Sequence, residues 1–105
     1  MFHILLALAD GEKHGYAILK EVAHRTGGKV RLSAGTLYGN LSRLEGAGLI
    51  AESSRRPEVA LDDERRRYYR LTGFGRAVAV AEAKRMEEAV AQARAKKLFW
   101  KPKFG

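Results

Sequence analysis

Apolar residues recur along the first part of the chain at spacings that predict two short helices. Residues 2–9 are apolar nearly all round, which is typical of a short helix buried on most of its surface. Residues 10–13 interrupt this pattern and are predicted to end the first helix. A helical period resumes over residues 15–26, and Gly27 and Gly28 end it. The apolar positions of this second helix are Tyr16, Leu19, Val22 and Ala23, with Ile18 beside them.

The next segment predicts a third helix with one apolar face and one small or polar face. Ser33 is placed to cap it, because a serine hydroxyl can accept a hydrogen bond from a free N–H of the first turn. The buried stripe follows at i, i+4 and i+7: Leu37, Leu41 and Leu44. The opposite face carries Ala34, Thr36, Tyr38, Gly39, Asn40 and Arg43. Gly46 and Gly48 are predicted to end the helix.

Two extended segments follow and predict a β-hairpin. Residues 49–53 form the first strand, and residues 66–71 alternate in the manner of a second strand. Residues 54–64 lie between them and contain Pro57, Asp62 and Asp63. This middle segment is therefore predicted to be the tip of the hairpin.

The chain ends in a long predicted helix. Thr72 can cap it, and it extends from about residue 74 to 98, a length of roughly 36 Å at 1.5 Å per residue. A domain of this size cannot bury such a helix alone. One stripe steps by four and three residues, the spacing that seats one helix against another: Ala79, Ala83, Met86, Val90 and Ala93. This stripe is predicted to be the seam of a homodimer.

The order of elements predicts a mainly α fold with a small β-hairpin. Three short helices followed by a two-stranded hairpin form a winged helix-turn-helix domain, in which the third helix enters the major groove of DNA and the hairpin touches the backbone. We assign residues 1–73 to this domain and residues 74–105 to the dimerisation helix and tail.

Net charge points to the same class of partner. The formal charge of +8 over 105 residues concentrates polyanions at the surface, so double-stranded DNA heads the expected partners. Cysteine is absent, which fits a reducing cytoplasm. No apolar run approaches the roughly 20 residues that span a bilayer, and no membrane partner is expected.

Other chemistry finds little support in the sequence. His3, His14 and His24 are not spaced at i and i+4, so no metal site is expected. No glycine-rich phosphate loop, nucleophile elbow or paired-carboxylate motif is present, and neither catalysis nor a cofactor is expected.

Three blocks in order and at matching spacing resemble the PadR family of transcriptional regulators. They are HGYAI at residues 14–18, SAGTLY at 33–38 and YYRLT at 68–72, with LSRLE at 41–45 and GLI at 48–50 between them. The likeness covers about residues 4–80. Gly39 departs from it, because many members carry proline after the tyrosine. Glycine costs about 1 kcal/mol of helix stability against alanine, so this helix is expected to be less rigid than in those members.

The resemblance implies a cytoplasmic repressor that binds a pseudo-palindromic operator as a homodimer. The last helix makes the dimer and places two recognition helices roughly 34–36 Å apart, about one turn of DNA. A single long C-terminal helix places the chain in the short subclass. The family also implies release by an effector, and related regulators take a flat aromatic molecule near the dimer interface.

The residues predicted to contact DNA are Tyr16, Ser33, Gly35, Thr36, Tyr38, Asn40, Arg43, Arg65 and Arg67. Asparagine pairs with adenine and arginine with guanine, so Asn40 and Arg43 are the natural base readers. Ser33 and Gly35 can offer backbone N–H groups to a phosphate at the helix start. The family likeness gives Tyr16 and Tyr38 backbone contacts. Each tyrosine can instead fill the core, and Arg43 can simply be solvated.

Three alternatives stay open at this level. The wing arginines can pair with the acidic residues that precede them, Asp62, Asp63 and Glu64. Phe99 and Trp100 can stack on an aromatic effector, or they can pack against the first helix of either subunit. The whole chain can act as a protein-docking or assembly module without sequence-specific DNA binding. The exposed charges of the third helix and wing argue against that last alternative, because interface centres are depleted in charge.

Overall fold

The computed structural model describes residues 1–53 and 67–99 and confirms a mainly helical fold with a small antiparallel sheet. The elements are α1 Phe2–Ala7, β1 Lys13–His14, α2 Gly15–Arg25, α3 Ala34–Gly46, β2 Ile50–Glu52, β3 Tyr68–Leu71 and α4 Gly73–Ala95. The predicted hairpin tip, Arg65, Trp100 and the tail lie outside the described residues.

The described strands form one antiparallel sheet in the order β1-β3-β2. Ile50 pairs with Leu71 on one side of β3, and Lys13 pairs with Tyr69 on the other. Residues 10–13 lie outside any helix, as predicted, but β1 was not predicted from the sequence. A two-residue strand carries no periodicity of its own, so it exists only because β3 supplies its partner.

The core lies where α1, α2, α3 and the sheet meet. Its buried side chains are Ile4, Leu5, Ala7, Leu8, Ile18, Val22, Leu37, Leu41, Leu44, Ile50 and Tyr69. All three leucines of the predicted α3 stripe are buried, which confirms that stripe. On α2 the inward face centres on Ile18 and Val22, whereas Tyr16 is 52% exposed. Helical spacing alone places Ile18 at the side of the stripe.

Side-chain caps define where the helices begin. The Ser33 hydroxyl accepts from the Thr36 N–H at 3.1 Å, and the Thr72 hydroxyl accepts from the Gly75 N–H at 2.9 Å, as predicted for both residues. A third cap was not predicted: His14 Nδ1 accepts from the Ala17 N–H at 3.1 Å. The start of α2 is thereby attached to the end of β1.

The first half of α4 packs on the domain, and its second half extends away from it. Val78 and Ala79 are partly buried against the core, while Met86 is 42% and Val90 40% exposed. The helix ends at Ala95, earlier than predicted, where Lys97 adopts a left-handed backbone (φ 62°) and the Leu98 N–H donates to the Ala93 carbonyl at 2.9 Å. Among the described residues no helix is long and apolar enough to cross a bilayer.

Burial of Tyr69 predicts a loss of stability in alkali. Its surroundings raise the pKa of the Tyr69 phenol, chiefly by desolvation and then by the negative charge of Glu45. The unfolded chain releases this proton near pH 10 while the folded chain keeps it, so the free energy of unfolding falls as the pH rises above about 10.

Tyr69→Phe removes that contribution and is expected to flatten the decline in urea unfolding measured between pH 8 and 11. Tyr68→Phe is the matched control, since the neighbouring Tyr68 is only half-buried. An unchanged pH slope in Tyr69→Phe would contradict the assignment.

Candidate nucleic-acid interface

The outward line of α3 is built from small residues. Because Leu37 and its stripe hold one face in the core, the opposite line presents Gly35, Gly39, Ser42 and Gly46, all exposed. A Cβ built at any of these three glycines would have no described atom within 4 Å apart from its chain neighbours and the adjacent backbone of α3. No other described part of the domain packs on this face, so the backbone of α3 can approach a partner closely.

The flanks of this line carry the predicted polar contacts. Thr36 and Arg43 are exposed, and Asn40 is half-buried on the same flank. Ser33 is exposed, and its hydroxyl makes two hydrogen bonds at the helix start. It accepts from the Thr36 N–H and donates to the Thr36 hydroxyl at 3.0 Å. Arg43 also lines an apolar groove of about 540 Å³ between α1, α3 and α4, with Glu82 among the other lining residues. The arginine is thus a flank residue that can reach outward from the rim of this groove.

Tyr38 is oriented differently from the prediction. A Cβ built at Gly15 would lie 2.8 Å from the Tyr38 hydroxyl oxygen and 3.0 Å from two ring carbons, and that hydroxyl oxygen is buried. The prediction that the phenol projects beside the exposed face is wrong. Because Gly15 has no side chain, it leaves a slot at the start of α2, and the ring fills that slot. Tyr38 joins α3 to α2 by packing.

Tyr16, unlike Tyr38, faces solvent. Its ring is exposed, and the Lys20 ammonium lies 4.8 Å from the ring centroid. The alternative that Tyr16 fills the core is wrong, because Ile18 and Val22 occupy the inward face of α2. Tyr16 and Lys20 together offer a phenol and a cation to solvent at the beginning of α2.

Several exposed cations have no carboxylate within 4.0 Å among the described residues: Lys20, Lys29, Arg31, Arg43 and Arg70. By contrast, Lys13 pairs with Asp10 at 2.5 Å and with Glu21 at 3.5 Å. Arg67 lies 3.9 Å from Glu52 and is half-exposed, so part of its charge is compensated within the sheet.

Lys20, Lys29 and Arg31 are not among the residues predicted from the sequence to contact DNA. The signal was available, since none of the three has an acidic residue three or four positions away. Uncompensated charge is the kind that attracts phosphate, whereas a paired cation must first lose its partner.

The predicted dimer stripe divides into two parts. Ala79 packs against the core of its own domain, so the part open to a partner consists of Ala83, Met86 and Val90, with Ala93 half-buried. Phe99 is 58% exposed, and the Arg94 guanidinium carbon lies 5.0 Å from its ring centroid. Phe99 is thus left accessible within this chain.

Comparison with known proteins identifies the family. The model of the transcriptional regulator PadR-like family matches residues 4–81, which include most of α1, all of α2, α3 and the sheet, and the first turns of α4. The chain belongs to the PadR-like family of transcriptional regulators. This PadR-like chain is 41% identical over 86 residues to a transcriptional regulator, Rv3488, of Mycobacterium tuberculosis; the match covers 82% of this chain and 74% of that protein.

Solved PadR-like structures share the fold. A transcriptional regulator from Clostridium thermocellum superposes with a TM-score of 0.68 at 29% identity, covering 95% of this chain and 91% of that one. Bacillus subtilis PadR in complex with operator DNA gives a TM-score of 0.66 at 23% identity, covering 78% of this chain and 45% of that one. The resemblance inferred from the three sequence blocks is confirmed, and the PadR-like family is one of regulators rather than enzymes.

Proposed function

We propose that this PadR-like chain represses transcription as a homodimer that binds a pseudo-palindromic DNA operator with α3 in the major groove. The observation that carries the proposal is the outward line of α3, where Gly35, Gly39 and Ser42 leave the backbone uncovered. An α-helix fits the B-DNA major groove, and small residues on its leading edge let flanking side chains reach the base edges.

Within this proposal the DNA contacts divide by role. Asn40 and Arg43 read bases, with Thr36 beside them, while the N–H groups at Ser33 and Gly35 hold a phosphate. The backbone contacts come from Tyr16, Lys20, Arg31 and Arg67, and from Arg65, which lies outside the described residues. Tyr38 is a positioning residue that holds α3 against α2. This role takes the place of the phosphate contact that the sequence predicts for Tyr38.

The proposed homodimer rests on α4. Its distal half exposes Met86 and Val90 on one stripe, and a partner helix laid on that stripe would bury them. Two copies then present two copies of α3, as a pseudo-palindromic operator requires. The proposed DNA-binding domain comprises residues 1–73, and the proposed dimerisation helix with its tail comprises residues 74–105.

Two further parts of the proposal follow from family membership. DNA is the proposed ligand of this regulator, so the proposed location is the cytoplasm. The proposed effector is a flat aromatic molecule at the dimer interface, where the accessible Phe99 offers a stacking surface. The operator-bound PadR of Bacillus subtilis has the same fold, which supports the proposal that this chain also binds operator DNA.

Fluorescence anisotropy tests the proposal directly. The purified protein is titrated onto a labelled duplex from the region upstream of its own gene, with random duplex as competitor, across a salt series. Preference for the upstream duplex together with an affinity that falls steeply with salt is expected. Absence of binding at low salt would contradict the proposal and favour a protein-docking module.

Substitutions separate base reading from backbone binding. Arg43→Ala and Asn40→Ala are expected to weaken operator binding by about 1–3 kcal/mol each and to relax the preference at one base pair. Arg67→Ala is expected to weaken operator and random duplex alike, since a phosphate carries no sequence information. Lys84→Ala, on the exposed part of α4, is the control. Equal losses on both duplexes for Arg43→Ala would contradict base reading by Arg43.

A further inference from the structure

The first turn of α4 meets the turn after α3 at a contact that leaves no room for a side chain. Gly75 is buried, and a Cβ built on it would lie 1.8 Å from the Leu49 carbonyl oxygen and 2.8 Å from the carbonyl carbon. Both atoms belong to the backbone, which cannot turn aside as the end of a flexible side chain can. Only glycine fits at position 75 with the two helices in their present relation.

Hydrogen bonds join the same two segments through one residue. The Leu49 N–H donates to the Leu44 carbonyl of α3 at 2.9 Å, and the Leu49 carbonyl accepts from the Thr72 N–H at 3.1 Å. The Thr72 hydroxyl donates to the Gly48 carbonyl at 2.6 Å and accepts from the Gly75 N–H at 2.9 Å. The end of α3 and the cap of α4 are therefore connected through the backbone of Leu49.

A small change at this contact is magnified along α4. Real Cβ atoms stay beyond 3.0 Å of such neighbours, so any side chain at Gly75 must move the helix away from Leu49. Ala79, about 6 Å further along α4, packs against the core and is the natural pivot. A shift of about 1 Å at Gly75 then tilts α4 by roughly 10° and displaces Val90 by about 3 Å.

We propose that Gly75 is a positioning residue that sets the angle between α3 and α4, and thereby the separation of operator half-sites that the dimer accepts. The proposal rests on the proposed function, because it requires a dimer made by α4 and a recognition helix in α3. A displacement of about 3 Å at the seam is comparable to the rise of one base pair, about 3.4 Å. The half-site separation is thus sensitive to the size of the residue at position 75.

Selection from a pool of random duplexes tests the proposal with a matched pair of variants. Gly75→Ala and Gly73→Ala lie in the same turn, but a Cβ at Gly73 would have no described atom within 4 Å apart from its chain neighbours and the adjacent backbone of α4. We expect the wild-type chain and Gly73→Ala to select the same half-site separation and Gly75→Ala to select one shifted by about one base pair. A folded Gly75→Ala chain with the wild-type separation would overturn the proposal.

Thr72→Val provides a second variant if Gly75→Ala does not fold. Valine keeps the shape of threonine but loses the hydroxyl bonds to Gly48 and Gly75, so the attachment of α4 loosens. Selected separations are then expected to spread over neighbouring values. A single half-site separation equal to that of the wild-type chain would count against a link between the attachment of α4 and that separation. A loss of DNA affinity alone does not change the half-site separation that is selected.

A distance measurement distinguishes failure of this proposal from failure of the proposed function. The chain contains no cysteine, so spin labels can be attached through Ser42→Cys on α3 and Lys84→Cys on α4, with labelled chains diluted in unlabelled ones. If the wild-type chain selects no paired half-sites, the proposed operator-binding dimer is contradicted. The distance between the two labels can still be measured in that case. The α3 to α4 distance is expected to change in Gly75→Ala and not in Gly73→Ala. Equal distances in the two variants would overturn the proposed coupling.

Discussion

Met86→Glu is expected to convert the proposed dimer into a monomer. Met86 lies at the middle of the stripe that α4 leaves exposed, 42% accessible in the single chain, and a dimer would cover it. A glutamate there would bring two unpaired carboxylates into an apolar seam, and burying an uncompensated charge costs about 3–5 kcal/mol. Light scattering is expected to report half the wild-type mass.

The same substitution is expected to remove most of the operator affinity. A dimer engages two half-sites at once, whereas a monomer holds one, and the loss of that linkage is about 100-fold or more. Gln92→Glu is the matched control, because it adds the same charge to the exposed opposite face of α4. A dimeric Met86→Glu protein would contradict the assignment of the seam, whatever its affinity for DNA.

Tyr38→Ala is expected to lower the free energy of unfolding by about 3 kcal/mol. The ring fills the slot above Gly15 and is packed partly against the core, so its removal opens a cavity between α2 and α3. Urea unfolding followed by circular dichroism measures the loss. A loss well below 1 kcal/mol would show that the ring does not hold α3 against α2.

Tyr38→Phe separates packing from DNA contact. It keeps the ring and removes only the hydroxyl, whose oxygen is buried, so the operator affinity is expected to match that of the wild-type chain. Tyr16→Phe is the comparison, since the Tyr16 hydroxyl belongs to an exposed ring and is proposed to donate to a phosphate. A weaker Tyr38→Phe complex with unchanged stability would restore the contact predicted from the sequence.

Local patterns in the sequence determined most of the elements. Leu37, Leu41 and Leu44 recur at helical spacing behind a capping serine, and both the stripe and the cap are confirmed. Thr72 likewise begins α4 as predicted. These signals are readable because each depends on residues within one or two turns of one another, so no distant part of the chain is needed to interpret them.

Tertiary contacts decided the features that patterns missed. β1 exists because β3 pairs with it, and Tyr38 turns inward because Gly15, far away in the sequence, leaves a slot for it. The choice of Ile18 over Leu19 for the centre of the α2 core face depends on where α1 and α3 lie. Helical spacing defines a stripe about 100° wide, so it cannot select among neighbouring positions within that width.

The sequence by itself determined the family, the order of the helices, the rotation of α3 and the basic character of the chain. Each of these depends on composition or on residues close together along the chain. Only the tertiary structure decided which side of Tyr38 is covered, that Arg67 lies beside Glu52, and that Gly75 leaves no room for a side chain against Leu49. Those properties belong to atoms of segments distant in sequence, and they are defined only once the packing of the helices has set the distances between them.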